Sequence, residues 1–293
     1  MQYRKFRLLN SQNSIFELTD KNFKVFASNP AGLGFSKTVS LYRLGDENLV
    51  PYSMINLDQI SFEILFYDES LADKYQKYND FVNFISHKPI YLLYQKPNSF
   101  NWYRRLIESM SLSKTEVSLD GMLHCSYNMQ TLTFWEDNDV NEKVVNSGSV
   151  SDGKIYPLTY PFKYSSSSLS NIELMSIGFL DSPMQITIDG TTTDPQYILY
   201  DEKGEIYGRG KFNGTFDKVY INSSESNEQL VLQRNDLILS NPMSYQDLTI
   251  GSPNDIYVTF LKLKLGVNRM SFILGDSFEG SVRIEWRNRY VTI

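Results

Sequence analysis

Histidine and cysteine are nearly absent from this sequence: two His and one Cys in 293 residues. A single cysteine forms no internal disulfide framework and no thiolate zinc cluster. Two histidines beside it are too few for a common zinc shell, which leaves carboxylate-rich calcium chemistry as the metal class still open on composition. Basic charge is also in short supply. Against 34 Asp and Glu stand 28 Lys and Arg, a net charge of −6, which argues against a broad nucleic-acid-binding face. No apolar run approaches the roughly 18–20 residues of a membrane span. The start of the chain is basic, with Arg4, Lys5 and Arg7, but no apolar segment or small-residue cleavage site follows, so no signal peptide is expected. What is abundant is aromatic: 20 Tyr, 18 Phe and 3 Trp. With β-branched residues they are spread along the whole chain, which is the composition of a folded protein. The length suits about two domains of roughly 150 residues each.

One helix stands out, over Leu71 to Ile85. Leu71, Tyr75, Tyr78, Val82 and Ile85 fall on one helical face, and Phe81 and Phe84 widen the stripe. Ser70 and Asp73 resemble a capping box. Lys88-Pro89 ends the helix, because proline cannot continue it. Nearly everything else reads as strand. Ile60, Phe62, Ile64 and Phe66 alternate with Ser61, Glu63 and Leu65, the pattern of a strand with one buried face. Ile90 to Tyr94 and Trp102 to Ile107 flank the turn Lys96-Pro97-Asn98-Ser99 and form a hairpin. A second hairpin is expected around Asp120-Gly121. Asn, Asp, Ser, Gly and Pro dominate from 138 to 170, so residues 1–137, 138–170 and 171–293 are expected to be an N-terminal domain, a polar connector and a C-terminal domain. In the last of these, short strands separated by regular turns predict an antiparallel β-sandwich. The fold class is mostly β with one α-helix.

No catalytic constellation emerges. His124 and Cys125 are adjacent, but on a strand they point to opposite faces and form no direct dyad. His87 lies at the helix C-terminus, where a cation is favoured. Gly208, Gly210 and Gly214 miss the dinucleotide fingerprint by one residue and have no strand-to-helix context, so they read as loop glycines. In the strand Val282 to Trp286, Trp286 shares a face with Val282 and Ile284 and is expected in the core rather than on a sugar. No catalytic residue, metal ligand or cofactor is assigned.

Several motifs in fixed order carry a resemblance. They are Ile60-Ser-Phe-Glu-Ile; Glu69-Ser-Leu with a helix holding Tyr75-Gln76 and Asp80-Phe81-Val82-Asn83; Lys88-Pro89-Ile90-Tyr91-Leu92; Tyr103-Arg104; Leu112-Ser-Lys-Thr-Glu116; Leu132-Thr-Phe-Trp135; Gly266-Val-Asn268; and the terminal Arg289-Tyr290. In this order they resemble the distal tail proteins of siphophages, the hub components of phage baseplates, over nearly the whole chain. Phe134 stands where that family often has proline.

The resemblance implies a structural, non-enzymatic virion protein at the tail tip, made in the host cytoplasm. It implies an N-terminal β-sandwich with one helix and a β-hairpin that builds a homohexameric ring, and a C-terminal galectin-like β-sandwich. The implied partners are the tail tube protein, the tail-associated hub protein and receptor-binding proteins for host adhesion. DNA would only pass through the lumen, and no membrane insertion is implied. Interfaces favour Tyr, Trp and Arg, and the hairpin from 90 to 107 concentrates them. Tyr91, Tyr94, Trp102, Tyr103, Arg104 and Arg105 are therefore the expected subunit-interface residues. Two rival readings stand beside this one: a carbohydrate-binding module recognising host surface polysaccharide through the C-terminal sandwich, and a glycoside hydrolase with a carboxylate pair.

Overall fold

The computed structural model describes residues 4–19, 24–44, 46–115, 121–147, 168–224, 229–234, 237–238, 262–275 and 278–293. Residues 116–120, with Asp120 of the expected Asp120-Gly121 turn, and most of the polar connector (148–167) lie outside the described residues. The chain divides into two units, Met1–Asp139 with Arg289–Ile293, and Val140–Asn288.

The first unit contains β1 (Lys5–Leu9), β2 (Ile15–Glu17), β3 (Val25–Ala31), β4 (Lys37–Leu44), β5 (Glu47–Ile55), β6 (Gln59–Phe66), α1 (Leu71–Ser86), β7 (Ile90–Gln95), β8 (Trp102–Lys114), β9 (Leu123–Thr131) and β10 (Trp135–Asp137). Its main sheet runs β2-β1-β7-β8-β9-β6-β3. The two ends of that order meet. Leu18 donates its N–H to Phe6 O and accepts from Ala27 N–H, which stitches β3 to β1. Closing a sheet on itself removes the open edges that invite aggregation. The interior is filled by alternating side chains. Ile60, Phe62, Ile64 and Phe66 are all buried, as their spacing predicts, and Phe6, Leu8, Tyr127 and Met129 join them. Edge-to-face pairs such as Phe6–Phe62 at 4.9 Å and Phe81–Tyr127 at 5.3 Å hold this aromatic core.

Helix α1 begins where the sequence places it. The Ser70 hydroxyl accepts from Asp73 N–H at 3.0 Å and donates to Asp73 Oδ2 at 2.6 Å. Its buried face differs from the expected stripe. Leu71 and Val82 are exposed, whereas Lys74, Phe81 and Phe84 are buried, with Tyr75, Tyr78 and Ile85 packed alongside. The reason is where the largest groups find partners. Phe81 meets Phe16, Phe66 and Tyr127, and once that ring is seated, Val82 turns away and Leu71 in the first turn is left outside.

The second unit contains β11 (Asn141–Asn146), β12 (Ser168–Ser176), β13 (Ser182–Thr193), β14 (Gln196–Tyr200), β15 (Ile206–Lys211), β16 (Thr215–Asn222), β17 (Gln229–Arg234), β18 (Leu237–Ile238), β19 (Lys262–Leu263), β20 (Gly266–Ile273) and β21 (Ser281–Trp286). One sheet runs β11-β21-β13-β16-β17-β18 with β19 on β13, and the other runs β12-β20-β14-β15. All of the pairings are antiparallel. Ile186, Ile188, Val219, Val282 and Ile284 of the first sheet share one core with Leu174, Tyr197, Leu199, Met270 and Phe272 of the second. This is a β-sandwich, so among the described residues the chain is mostly β with one helix. Among the described residues no helix is long and apolar enough to cross a membrane.

Two buried polar or small residues hold the sandwich in register. Asn268 is fully buried, and its amide satisfies both ends. Nδ2 donates to Lys264 O and Gly266 O, while Oδ1 accepts from Lys264 N–H and the Tyr207 hydroxyl. The Gly266-Val-Asn268 motif thus opens β20, and its asparagine fastens the turn at Lys264-Leu265 that precedes it. Gly210 lies directly under the buried Tyr197 ring, and a Cβ there would stand 2.2 Å from Tyr197 Cε1. Gly210→Ala is expected to cost about 1–3 kcal/mol through overpacking. Calorimetry should show this as a lower melting temperature for the second unit alone.

The final strand, β22 (Arg289–Tyr290), leaves the second unit and pairs with β10 of the first. Residues 141–146, inside the expected connector, form a regular strand of the second unit on β21.

Candidate assembly surface

β4 and β5 form a two-stranded sheet of their own, separate from the core sheet. Every described side chain of β4 is exposed. Among them are Val39, Leu41, Tyr42 and Leu44, opposite Val50, Tyr52 and Met54 of β5, each between 43% and 65% exposed. Alternation places Val39 and Leu41 on one face and Tyr42 and Leu44 on the other, where Tyr52 and Met54 also lie. An isolated hairpin is marginally stable in water at best, and exposed apolar clusters of this kind mark interaction surfaces. The arm is fastened at its root. Ser36 Oγ donates to Asp58 Oδ1 at 2.7 Å, Asn56 Nδ2 donates to Ser36 Oγ at 2.9 Å, and Thr38 Oγ1 donates to Asn56 Oδ1 at 3.0 Å. Gly32, at φ +79°, lets the chain leave β3 there, since a Cβ would stand 1.9 Å from Gln59 O.

Sequence reasoning passed over this arm. Its signal was Gly45-Asp46, a turn pair between two stretches rich in apolar and β-branched residues.

The six residues expected at the interface lie on two faces of the β7–β8 pair. Tyr94, Tyr103 and Arg105 share the core side. Tyr94 packs on Phe6 at 5.0 Å and faces Trp135 at 6.2 Å. Arg105 is buried over the Trp135 ring, and its Nε donates to Thr133 O at 2.6 Å. Burial brings its pKa down to about 10, partly opposed by Asp58, so the guanidinium stays charged at neutral pH. Tyr91, Trp102 and Arg104 share the opposite face. There a cross-strand row runs Glu17–Arg7–Leu93–Arg104–Glu136. Arg7 lies over Trp102 at 4.3 Å and Arg104 over Tyr91 at 4.8 Å. Phe100, in the turn between β7 and β8, is 86% exposed.

Among the described residues, the histidine and cysteine singled out in the sequence do not form a dyad. His124 and Cys125 do point to opposite faces of β9, with Cys125 buried and its thiol pushed up to about 11 by desolvation. His124 Nδ1 lies 2.9 Å from Glu63 Oε1. That hydrogen bond leads the causes that hold the Glu63 carboxyl below its usual range. Among the described residues, no group of three or more His, Cys, Asp or Glu is placed to hold a metal ion. Trp286 is buried in the sandwich core and donates its Nε1–H to Met175 O, so it offers no sugar platform.

Comparison with known proteins agrees with this architecture. Residues 5–132 match the family model described as distal tail protein, N-terminal domain. No curated protein matches the chain in sequence. Among solved structures, a chain of the phage P2 baseplate in its activated conformation with calcium is 20% identical over 99% of both chains, with a TM-score of 0.62. The same baseplate with strontium gives the same figures. The Dit protein (gp 19.1) of SPP1, described as a paradigm of hub adsorption apparatus in phages infecting Gram-positive bacteria, is 10% identical over 96% of this chain and 98% of its own, with a TM-score of 0.60. At these identities the structural likeness is one of fold.

Proposed function

We propose that this chain, a phage distal tail protein by its N-terminal domain, is a non-enzymatic ring component of the tail tip. Six copies form a closed ring that joins the tail tube to the hub and to the proteins of host adhesion. The observation that carries this reading is the β4–β5 arm. A closed ring needs heterologous contacts, in which one surface of each subunit meets a different surface of the next. An arm with apolar side chains on both faces, anchored at its root, suits such a contact. The outward face with Tyr91, Trp102 and Arg104 is a second contact in this reading. Tyr94, Tyr103 and Arg105 support that face from within the sheet. The second unit serves as the platform for adhesion proteins.

The test is the mass and shape of the purified full chain. Light scattering over a wide concentration range should reach the mass of six chains, and negative-stain images should show six-fold rings. A chain that stays monomeric at every concentration, and also when mixed with the tube and hub proteins of its own phage, overturns the proposal.

A further inference from the structure

The first unit is finished by residues that follow the second unit, Arg289–Ile293. β10 lies between β8 and β22. On one side Glu136 faces Arg104 and Asp137 faces Tyr103; on the other Trp135 faces Tyr290 and Glu136 faces Arg289. Side chains fasten the outer pairing. The Glu136 carboxylate sits between two guanidinium groups, with Arg104 Nη2 at 3.4 Å from Oε2 and Arg289 Nε at 3.4 Å from Oε1. These side chains are 19% (Arg104), 14% (Glu136) and 4% (Arg289) exposed, so the cluster is largely dry. The Arg289 guanidinium also lies over the Phe134 ring at 5.8 Å. Tyr290 meets Tyr103 edge-on at 5.4 Å and donates its hydroxyl to Asp137 Oδ2 at 3.4 Å. Ile293 packs against the first unit's core. Between β10 and β22 in sequence lies the whole second unit, Val140–Asn288.

We infer that β22 is a closing strand, which lets the first unit complete its sheet only after the second unit has been made, and that chains lacking β22 are thereby kept out of the assembly. A chain is synthesised from its N-terminus, so β1 to β10 exist well before β22 does. Until β22 docks, Glu136 has lost one of its two cations in a poorly hydrated site, and Tyr103 has lost its edge partner. The outer edge of β10, beside the fully buried Trp135, stays open, and open edges are sites of fraying and of pairing with the wrong chain. Because the second unit is inserted between the two strands, its own synthesis comes before closure. The closing-strand half of this inference stands by itself. The assembly half rests on the ring role proposed above.

The experiment compares the full chain with one ending at Asn288. That end-point keeps the Asn288 Oδ1 that accepts from Ile177 N–H within the second unit. Amide hydrogen exchange should accelerate about tenfold or more at 102–105 and 135–137, while 184–188 and 282–286 keep their protection. Equal protection at 102–105 and 135–137 in the two proteins overturns the closing strand. Should the shortened chain not be recovered folded, the full-length Arg289→Ala/Tyr290→Ala variant carries the same comparison. Faster exchange at those positions supports the inference, and unchanged exchange overturns it. For assembly, shortened and full chains are mixed under conditions in which full chains form rings. Exclusion of the shortened chain is expected, and its incorporation at parity overturns that half. If full chains form no rings at all, the assembly half falls with the ring reading, and the exchange result still decides the closing strand.

Discussion

Replacing Leu41, Tyr42 and Leu44 together by serine is expected to abolish self-association while leaving the fold intact. All three side chains are more than half exposed in the single chain. They contribute little to its stability, and surface changes of this kind usually stay within about 0.5 kcal/mol. At a subunit contact the same groups are desolvated, and losing an anchor there costs about 2 kcal/mol or more. Even with non-additivity, three such losses weaken the contact by roughly a thousandfold or more. The variant should therefore run as a monomer by light scattering, with a melting temperature close to that of the parent. A variant that still reaches the parental mass sinks the arm as the contact. One that loses mass and also melts much lower shows the arm to be part of the fold, and the interface reading fails with it. The largest structural cost the variant avoids lies at the arm's root, because Ser36, Asn56 and Asp58 are untouched.

What was legible in the sequence followed from periodicity against a core. The spacing of Ile60, Phe62, Ile64 and Phe66 identified a one-sided strand because one sheet face is dry and the other wet. Trp286 read as core for the same reason, since Val282 and Ile284 share its face. The arm was missed because its apolar side chains occupy both faces and serve no internal core. A bulge at Val50-Pro51, between the pairs Ser40–Tyr52 and Tyr42–Leu49, further breaks the alternation. Periodicity reports burial, and side chains exposed on both faces leave no one-sided pattern. The interface residues expected between 90 and 107 were chosen by composition. Composition cannot tell a Tyr94 that packs on Phe6 from a Tyr91 on the other side of the sheet. The return of β22 was unreadable for another reason. A strand of two residues has no period, and its partner β10 lies some 150 residues earlier. The motifs Leu132-Thr-Phe-Trp135 and Arg289-Tyr290, quoted apart along the chain, turn out to be neighbours in one sheet.

The helix face gives the sharpest stability test, because the sequence stripe and the structure disagree on one neighbouring pair. The stripe puts Val82 at its centre, yet Val82 is 39% exposed and Phe81 is fully buried. Phe81→Ala removes the ring that meets Phe16 at 5.1 Å, Phe66 at 6.0 Å and Tyr127 at 5.3 Å. Each of those partners is itself held in the closed sheet or its cover, so the cavity has little freedom to collapse. A buried Phe→Ala change of this type costs about 3–5 kcal/mol. For a unit of this size that lowers the melting temperature by roughly 10 °C. The two units have separate cores, so the fall should appear in one transition, with the second unit's melting unchanged. Val82→Ala, one residue away, should shift neither transition beyond the roughly 0.5 kcal/mol of a surface change. Differential scanning calorimetry on the two variants decides between the faces. Equal losses at 81 and 82 would mean that α1 is rotated from the position described. A loss only at 82 would put Val82 in the core and take the Phe81 cluster out of it. The expected pattern also bears on assembly, because the arm leaves the same sheet that Phe81 packs against. Loosening that sheet should weaken self-association in proportion to the lost stability, whereas the serine variant of the arm weakens it with no loss of stability at all.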